Sequence, residues 1–382
     1  MSGLRIFLIA GESSGDVLGA ALMRALRERQ PDVDFIGVGG KAMAGEGLAS
    51  LFPITDIAVM GLVSPLARLP KILARIDETA RAVLAAEPAC LVIVDAPDFT
   101  HRVARRVRRA RPDIPIVDYV SPTVWAWRPG RARKMRDYVD CVLALLPFEP
   151  QAHETLGGPR CVYVGHPLVE ALDELAPTHG ESGPSCAPLL LVLPGSRLAE
   201  IARMTPLYGR TLALVMRDCP HLDVAIPVAP HMEAPLREAL RGWPIVPRLI
   251  SQAEKFAAFR TARAALATSG VATLELALAQ TPMVVAYRVS QLESYLRFLV
   301  KAHSIVLPNL VIGENAVPEF LQEAATPRAL AEALAPLLTE SAPRASQLAA
   351  FERVRARLSE AGVRPSARAA EIVLDYAASR RP

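Results

Sequence analysis

The chain of 382 residues is poor in cysteine, and its five cysteines (Cys90, Cys141, Cys161, Cys186 and Cys219) form no C-x-x-C pair. An odd, scattered set excludes a disulfide framework and a thiolate zinc site, and it points to a reducing compartment. No uninterrupted apolar run approaches the roughly 18 residues that cross a bilayer. The first apolar run, 6–10, is short and followed at once by Glu12 and Asp16, which is not the pattern of a secretory signal. Charge of one sign is also missing. The net charge is only +4, which excludes a general nucleic-acid surface. Lysine is rare, since 38 of the 43 basic residues are arginine, and guanidinium suits local, forked phosphate contacts. Aromatic residues make up only 5%. No histidine cluster suggests a metal site, and no cofactor is expected.

What is present is 51% hydrophobic sequence rich in Ala, Leu and Val, enough for two cores. Short apolar runs alternate with helical periodicity, the pattern of parallel strands buried on both faces. In the first half, strands are expected at 5–10, 35–39, 91–94, 114–120, 141–146 and 162–164. A Pro-, Gly- and Ser-rich stretch at 170–187 reads as a linker. Strands resume at 189–193, 224–228, 245–249, 264–267, 283–286 and 305–307, and helices follow from 327 onward. The expected organisation is an N-terminal domain 1–169, a linker 170–187, a second domain 188–340 and C-terminal helices 341–382. Both domains read as Rossmann-like α/β.

Several loops carry chemistry. Gly11-Glu-Ser-Ser-Gly-Asp16 follows the first strand but lacks G-x-G-x-x-G. Its acidic residues sit where a nicotinamide cofactor's pyrophosphate would go, which argues against that cofactor. Asp95 and Asp98 end a strand, where ligands of open α/β sheets collect. Helix capping or turn formation is the ordinary use of such residues. Trp125 and Trp127 beside Arg128 can line a sugar or hydrophobic site. Gly195 and Ser196 can offer backbone donors, and Arg197 a fork, to a phosphate. Thr268-Ser-Gly270 turns from a strand into a helix, so Ser269 and Gly270 can aim backbone N–H groups at an anion, with Glu275 a turn further on. Residues 57–67, apolar and followed by Arg68, Lys71 and Arg75, read either as an interfacial patch or acyl-chain site or as a loop packed on its own domain. Arg102, Arg105, Arg106 and Arg109 share a helix face, ordinarily a solvated one.

In this order, Gly11-Glu-Ser-Ser-Gly-Asp16, Asp95-Ala-Pro-Asp-Phe99, Ser121-Pro-Thr-Val-Trp-Ala-Trp127, Leu193-Pro-Gly-Ser-Arg197, Ser269-Gly-Val-Ala-Thr-Leu-Glu275, Pro282-Met-Val-Val-Ala-Tyr287 and Pro308-Asn-Leu310 resemble the lipid-A-disaccharide synthase family. The likeness runs from about residue 6 to about residue 322. It implies an α/β GT-B fold, with two Rossmann-like domains facing across a cleft and final helices able to cross back to the first. It also implies transfer of 2,3-diacylglucosamine from UDP to 2,3-diacylglucosamine 1-phosphate (lipid X), with inversion and a β-1,6 linkage. The implied substrate partners are thus UDP-2,3-diacylglucosamine and lipid X. The implied location is the cytoplasmic face of the inner membrane, peripherally, with no nucleic acid and with a homodimer left open.

On this resemblance Asp95 is the base and Asp98 the reserve. Glu12, Ser14, Trp125 and Trp127 fall to the first domain. Ser196, Arg197, Ser269, Gly270, Thr273, Glu275, Asn309, Glu319 and Gln322 fall to the donor domain. Val271 departs from the family's usual Thr. Competing readings are another GT-B enzyme on UDP-N-acetylglucosamine (a peptidoglycan lipid-intermediate transferase or an epimerase) and a non-catalytic nucleotide or anionic-lipid binder.

Overall fold

A computed structural model describes residues 4–57, 65–175, 187–289, 303–360 and 362–379. It divides into two compact units, 1–169 with 360–382, and 170–359. Of the apolar stretch 57–67, residues 58–64 lie outside the described residues, as does most of the expected linker.

The first unit is a six-stranded parallel sheet in the order β2-β1-β3-β4-β5-β6. Its strands are β1 (Arg5–Ala10), β2 (Asp34–Val38), β3 (Cys90–Val94), β4 (Ile116–Tyr119), β5 (Cys141–Ala144) and β6 (Arg160–Tyr163). β3, β4 and β5 are buried along their whole length, because crossover helices cover both faces of the sheet. The second unit repeats the design in the order β12-β11-β10-β7-β8-β9. These strands are β7 (Leu189–Leu193), β8 (Asp223–Pro227), β9 (Arg248–Ile250), β10 (Ala264–Ala267), β11 (Met283–Tyr287) and β12 (Glu319–Leu321).

Strand order locates the crevices. In the first sheet β1 lies between β2 and β3, so successive crossovers leave β1 in opposite directions. In the second, β7 lies between β8 and β10 and does the same. At such a reversal the loops beyond the strand ends part and leave room for a ligand. The switch points therefore lie beyond β1 and β3 in one unit, and beyond β7 and β10 in the other.

Three local expectations are corrected. Residues 305–307 form no strand. Ile305 N–H donates to Glu319 Oε2 and Val306 N–H to Ser304 Oγ, and the helix Leu307–Ile312 starts at once, with Pro308 in its first turn. The sixth strand of that sheet is β12 instead. Residues 245–246 are not strand either: Pro244 and Pro247 flank them without a ladder donor, Val246 is 91% exposed, and β9 is confined to Arg248–Ile250. Residues 13–16, expected in the loop after the first strand with the helix starting at Val17, are already helical: the first helix runs from Ser13 to Arg29.

That early start draws Asp16 inside. Its carboxylate accepts N–H groups from Gly40 (2.7 Å), Ala42 (2.9 Å) and Met43 (3.0 Å), fixing the helix Lys41–Gly45 beyond β2. The last helix, Pro365–Ser379, belongs to the first unit, where Ala369, Ala370, Val373 and Ala377 join the core formed by Leu22, Met23 and Leu26. The preceding helix, Ala342–Ser359, belongs to the second unit. There the buried Gln347 amide accepts from Met283 N–H and donates to Met283 C=O, completing the start of β11.

Because Asp16 satisfies three backbone donors, one buried and two half-buried, Asp16→Ala is expected to cost about 3 kcal/mol. Urea denaturation of the full chain measures this, and an unchanged midpoint would contradict the bracing role.

Candidate functional site

At the first switch point the backbone itself is unusual. Asp95 and Ala96 both have positive φ, 54° and 46°, so two consecutive non-glycine residues are left-handed just beyond β3. Such geometry costs on the order of 1–3 kcal/mol per residue and persists only where surrounding packing enforces it. The enforcing neighbour is the loop after β1. A Cβ on Gly11 would lie 2.2 Å from the Ala96 Cβ, so only glycine permits the approach. The closeness brings two sequence motifs into contact: Ser14 Oγ donates to Asp95 Oδ2 at 3.1 Å, while Asp95 Oδ1 accepts from Ala96 N–H at 2.7 Å. Asp95 is half-buried, and Glu12 and Ser14 are exposed beside it.

Asp98 is placed differently. It lies in the first turn of the helix Pro97–Ala110, largely exposed, and pairs with Arg131 at 3.3 Å. Trp125 is tied inward. Its indole N–H donates to Glu149 Oε1 at 3.2 Å and its ring meets Phe148 edge-on, so its polar atom serves the protein interior. Trp127 is half-buried, with the Arg128 guanidinium 5.5 Å from its ring centre. Sequence reasoning missed Glu149, a buried carboxyl that also accepts from Leu146 N–H. Burial raises its pKa from the ordinary carboxyl range to about 7, against the pull of these donors.

The second switch point relies on hydrogen bonds. Thr268 N–H bonds Leu193 C=O at 2.8 Å, joining the loops after β10 and β7. Among the described residues the backbone N–H groups of Ser269 and Gly270 meet no acceptor. The loop after β7 corrects an expectation. Ser196 N–H and Arg197 N–H both donate to Glu200 Oε2, at 3.0 and 3.3 Å, because Glu200 sits at the third position of the helix Leu198–Asp218 and closes a capping box. Ser196 therefore offers no free backbone donor. The Arg197 guanidinium, 78% exposed, touches Glu200 only at 3.3 Å and is open to solvent.

The remaining second-unit motifs converge on residues 304–306. Ser269 Oγ donates to Ile305 C=O (2.6 Å), Ser304 Oγ donates to Glu319 Oε2 (2.9 Å), and Asn309 Nδ2 donates to Ser304 Oγ (3.3 Å). Asn309 is fully buried and exchanges two further bonds with the Val317 backbone, which commits its amide to the protein rather than to a ligand. Thr273 is likewise fully buried, its hydroxyl donating to Gly270 C=O at 2.8 Å. Gln322 accepts from Val289 N–H and lines a cavity of about 350 Å³ with Arg203 and Arg288. Glu275 has a partner that sequence reasoning missed: Lys255 Nζ, 2.7 Å away, with both side chains mostly buried. No periodicity or motif links these two residues, which meet only through folding.

Two of the basic residues after the apolar stretch share one carboxylate. Lys71 and Arg75 both pair with Asp56 at 2.6 Å. Among the described residues no helix is long and apolar enough to cross a membrane, and no group of three His, Cys, Asp or Glu could hold a metal ion.

The architecture matches solved structures across nearly the whole chain. A glycotransferase of kitacinnamycin superposes with a TM-score of 0.64 at 16% identity, covering 98% of this chain and 99% of that one. An S. aureus MnaA–UDP co-structure gives 0.60 at 12% identity, covering 97% and 95%. These likenesses establish the class, an α/β protein of GT-B type. Relatives then narrow the class to a family. A family model described as lipid-A-disaccharide synthetase matches residues 6–373. A lipid-A-disaccharide synthase of Nitrobacter hamburgensis is 54% identical over 100% of this chain and 98% of its own length. One from Bradyrhizobium diazoefficiens is 54% identical over 97% and 96%. The chain belongs to the lipid-A-disaccharide synthetase family, and it is a glycosyltransferase of lipid A biosynthesis.

Two outcomes follow from this geometry. Gly11→Ala pushes a methyl group into Ala96, so turnover is expected to fall about tenfold or more while the thermal midpoint moves only a few degrees. Equal turnover would show that the Asp95 turn tolerates displacement. Glu149 has a raised folded pKa, so the folded state binds the extra proton, and this stabilisation is complete below about 4.5 and lost as pH rises through about 7. Glu149→Gln should flatten that decline, as read from thermal midpoints between pH 4.5 and 8.

Proposed function

We propose that this chain joins UDP-2,3-diacylglucosamine to the 6-hydroxyl of 2,3-diacylglucosamine 1-phosphate, releasing UDP, with Asp95 as the general base. The first unit holds the lipid acceptor and the second the UDP-sugar. A single displacement inverts the anomeric carbon and needs no covalent intermediate, only a carboxylate to take the acceptor proton and a stabilised leaving diphosphate. The observation that carries the reading is the strained Asp95–Ala96 turn at the β1/β3 switch point. One Asp95 oxygen is anchored by Ala96 N–H and the other is reached by the Ser14 hydroxyl. Oriented this way, the carboxylate accepts a proton from a hydroxyl that displaces or relays through Ser14.

On the donor side the Ser269 and Gly270 N–H groups and the Arg197 guanidinium take up the charge that develops on the departing diphosphate. Glu275, held by Lys255, is oriented toward the ribose hydroxyls. Glu319 and Gln322 position the 304–306 and 289 segments around the donor. Asn309 and Thr273 act as braces beneath that surface. The enzyme works at the cytoplasmic face of the inner membrane, where both acylated substrates reside, and it requires neither cofactor nor metal in this scheme.

The fold alone also accommodates epimerases acting on UDP-N-acetylglucosamine. The curated relatives favour transfer, because they match at 54% identity along the whole chain. Asp95→Asn is expected to lower kcat about a hundred- to ten-thousandfold with UDP-sugar binding retained. Disaccharide monophosphate formation from the two acylated substrates measures the first, and UDP-sugar titration the second. Unchanged turnover would remove Asp95 from the role of base.

A further inference from the structure

Directly beyond the Asp95 turn the first unit has a cavity of about 480 Å³, and five of its nine lining residues are cationic. Arg102 and Arg105 enter it from the helix Pro97–Ala110, and Arg128, Arg131 and Lys134 from the segment after β4, against one carboxylate, Asp98. Five cations facing one anion repel one another, and such a set is expected to draw in an anion. The neighbouring arginines show the contrast, since Arg106 pairs with Asp77 and Arg108 with Asp140. Among the described residues no carboxylate pairs with Arg102, Arg105, Arg128 or Lys134.

The cations are also held in place. Arg105 donates to the buried Tyr138 hydroxyl at 3.2 Å and its guanidinium stacks 4.7 Å from that ring. Tyr138 is anchored in turn by His101 Nδ1 at 3.0 Å. Arg128 has a φ of 54° and its guanidinium lies 5.5 Å from the Trp127 ring centre, so both its backbone and its side chain are constrained. Forked guanidinium groups fixed around a concave space suit a phosphate monoester, whose dianion presents three acceptor oxygens.

Chain geometry sets the distance to the reacting centre. Pro97 and Asp98 line the cavity, and Pro97 follows Asp95 by two residues, so their Cα atoms are at most about 7 Å apart. The near rim of the cavity therefore lies within about the length of one sugar ring of Asp95. We propose that this cavity binds the phosphate monoester of the acceptor sugar, so that the ring spans from the phosphate in the cavity to its reacting hydroxyl at Asp95. The proposal rests on the reading of Asp95 as the base. It also gives Asp98 a different place from Asp95: paired with Arg131, Asp98 is the cavity's internal counter-charge, which the phosphate replaces.

The test compares Arg102→Ala, Arg128→Ala and Lys134→Glu with the unaltered enzyme, using the phosphorylated acceptor and its dephosphorylated analogue. The expected result is a rise of about ten- to a hundredfold in KM for the phosphorylated acceptor, with donor KM unchanged and the preference over the dephosphorylated analogue lost. Unchanged acceptor KM would overturn the proposal. So would an equal effect on both acceptors accompanied by weaker binding to phosphatidylglycerol vesicles, which would make the cations a general attractor for anionic headgroups. Binding is read separately from chemistry by titrating glucosamine 1-phosphate and glucosamine into the Asp95→Asn protein. Phosphate-dependent binding that Lys134→Glu abolishes in that background supports the cavity whatever the base proves to be, and equal binding of the two sugars sinks it.

Discussion

The left-handed pair Asp95 and Ala96 exists because the loop after β1 presses against it with a glycine at the point of contact. β1 and β3 are neighbouring parallel strands whose ends lie side by side, so their loops compete for the same space. With a side chain at position 11 the turn after β3 would have to relax. With glycine there, the turn is held in a conformation that L-residues avoid, and Asp95 is directed at Ser14. Strain at this point is sustained by the rest of the unit, including a sheet buried on both faces, the Asp16 brace and the last helix packed on the first. The positions of the candidate base and of the cationic cavity next to it both follow from this contact.

The second unit has the same topology but holds its loops differently. β7 and β10 stand where β1 and β3 stand, so the loop carrying Ser269 and Gly270 is the counterpart of the loop carrying Asp95. One loop presents a carboxylate, and the other presents backbone N–H groups. This division suits a reaction in which one substrate gives up a proton and the other gives up a diphosphate. Around that loop the second unit relies on side-chain bonds: Glu200 caps the donors of its own helix, Lys255 neutralises Glu275, and residues 304–306 gather bonds from Ser269, Asn309 and Glu319. A polar cluster with its partners satisfied is rigid, and rigidity is what orienting a flexible nucleotide sugar requires.

Much of the fold was readable from the chain because parallel strands buried on both faces appear as unbroken apolar runs. Residues 6–10, 91–94 and 264–267 carry that signature with nothing to compete with it. Reading failed where side chains replaced the ladder. At 305–306 the backbone N–H groups bond Glu319 and Ser304, an arrangement that three apolar residues cannot announce. The candidate site was readable only as residue types at strand ends. Asp95, Ser14, Ser269 and Arg197 were marked by position, while Glu149 and Lys255 lie on helices without a motif and gain meaning only from partners far away in sequence. Asn309 and Thr273 show the converse, since their motifs were visible but their side chains turn inward and brace the loops.

The sequence by itself determined the two α/β units, the strand ends and the loop chemistry, because periodicity, glycine placement and charge are local properties. Only the tertiary structure decided the strand order, and with it which loops stand beside a switch point. It alone placed Ser14 on Asp95, separated Asp98 from Asp95 by pairing it with Arg131, and collected arginines from two distant segments around one cavity. Those outcomes depend on distances between chain segments that hydrophobic burial brings together, and no local pattern encodes them.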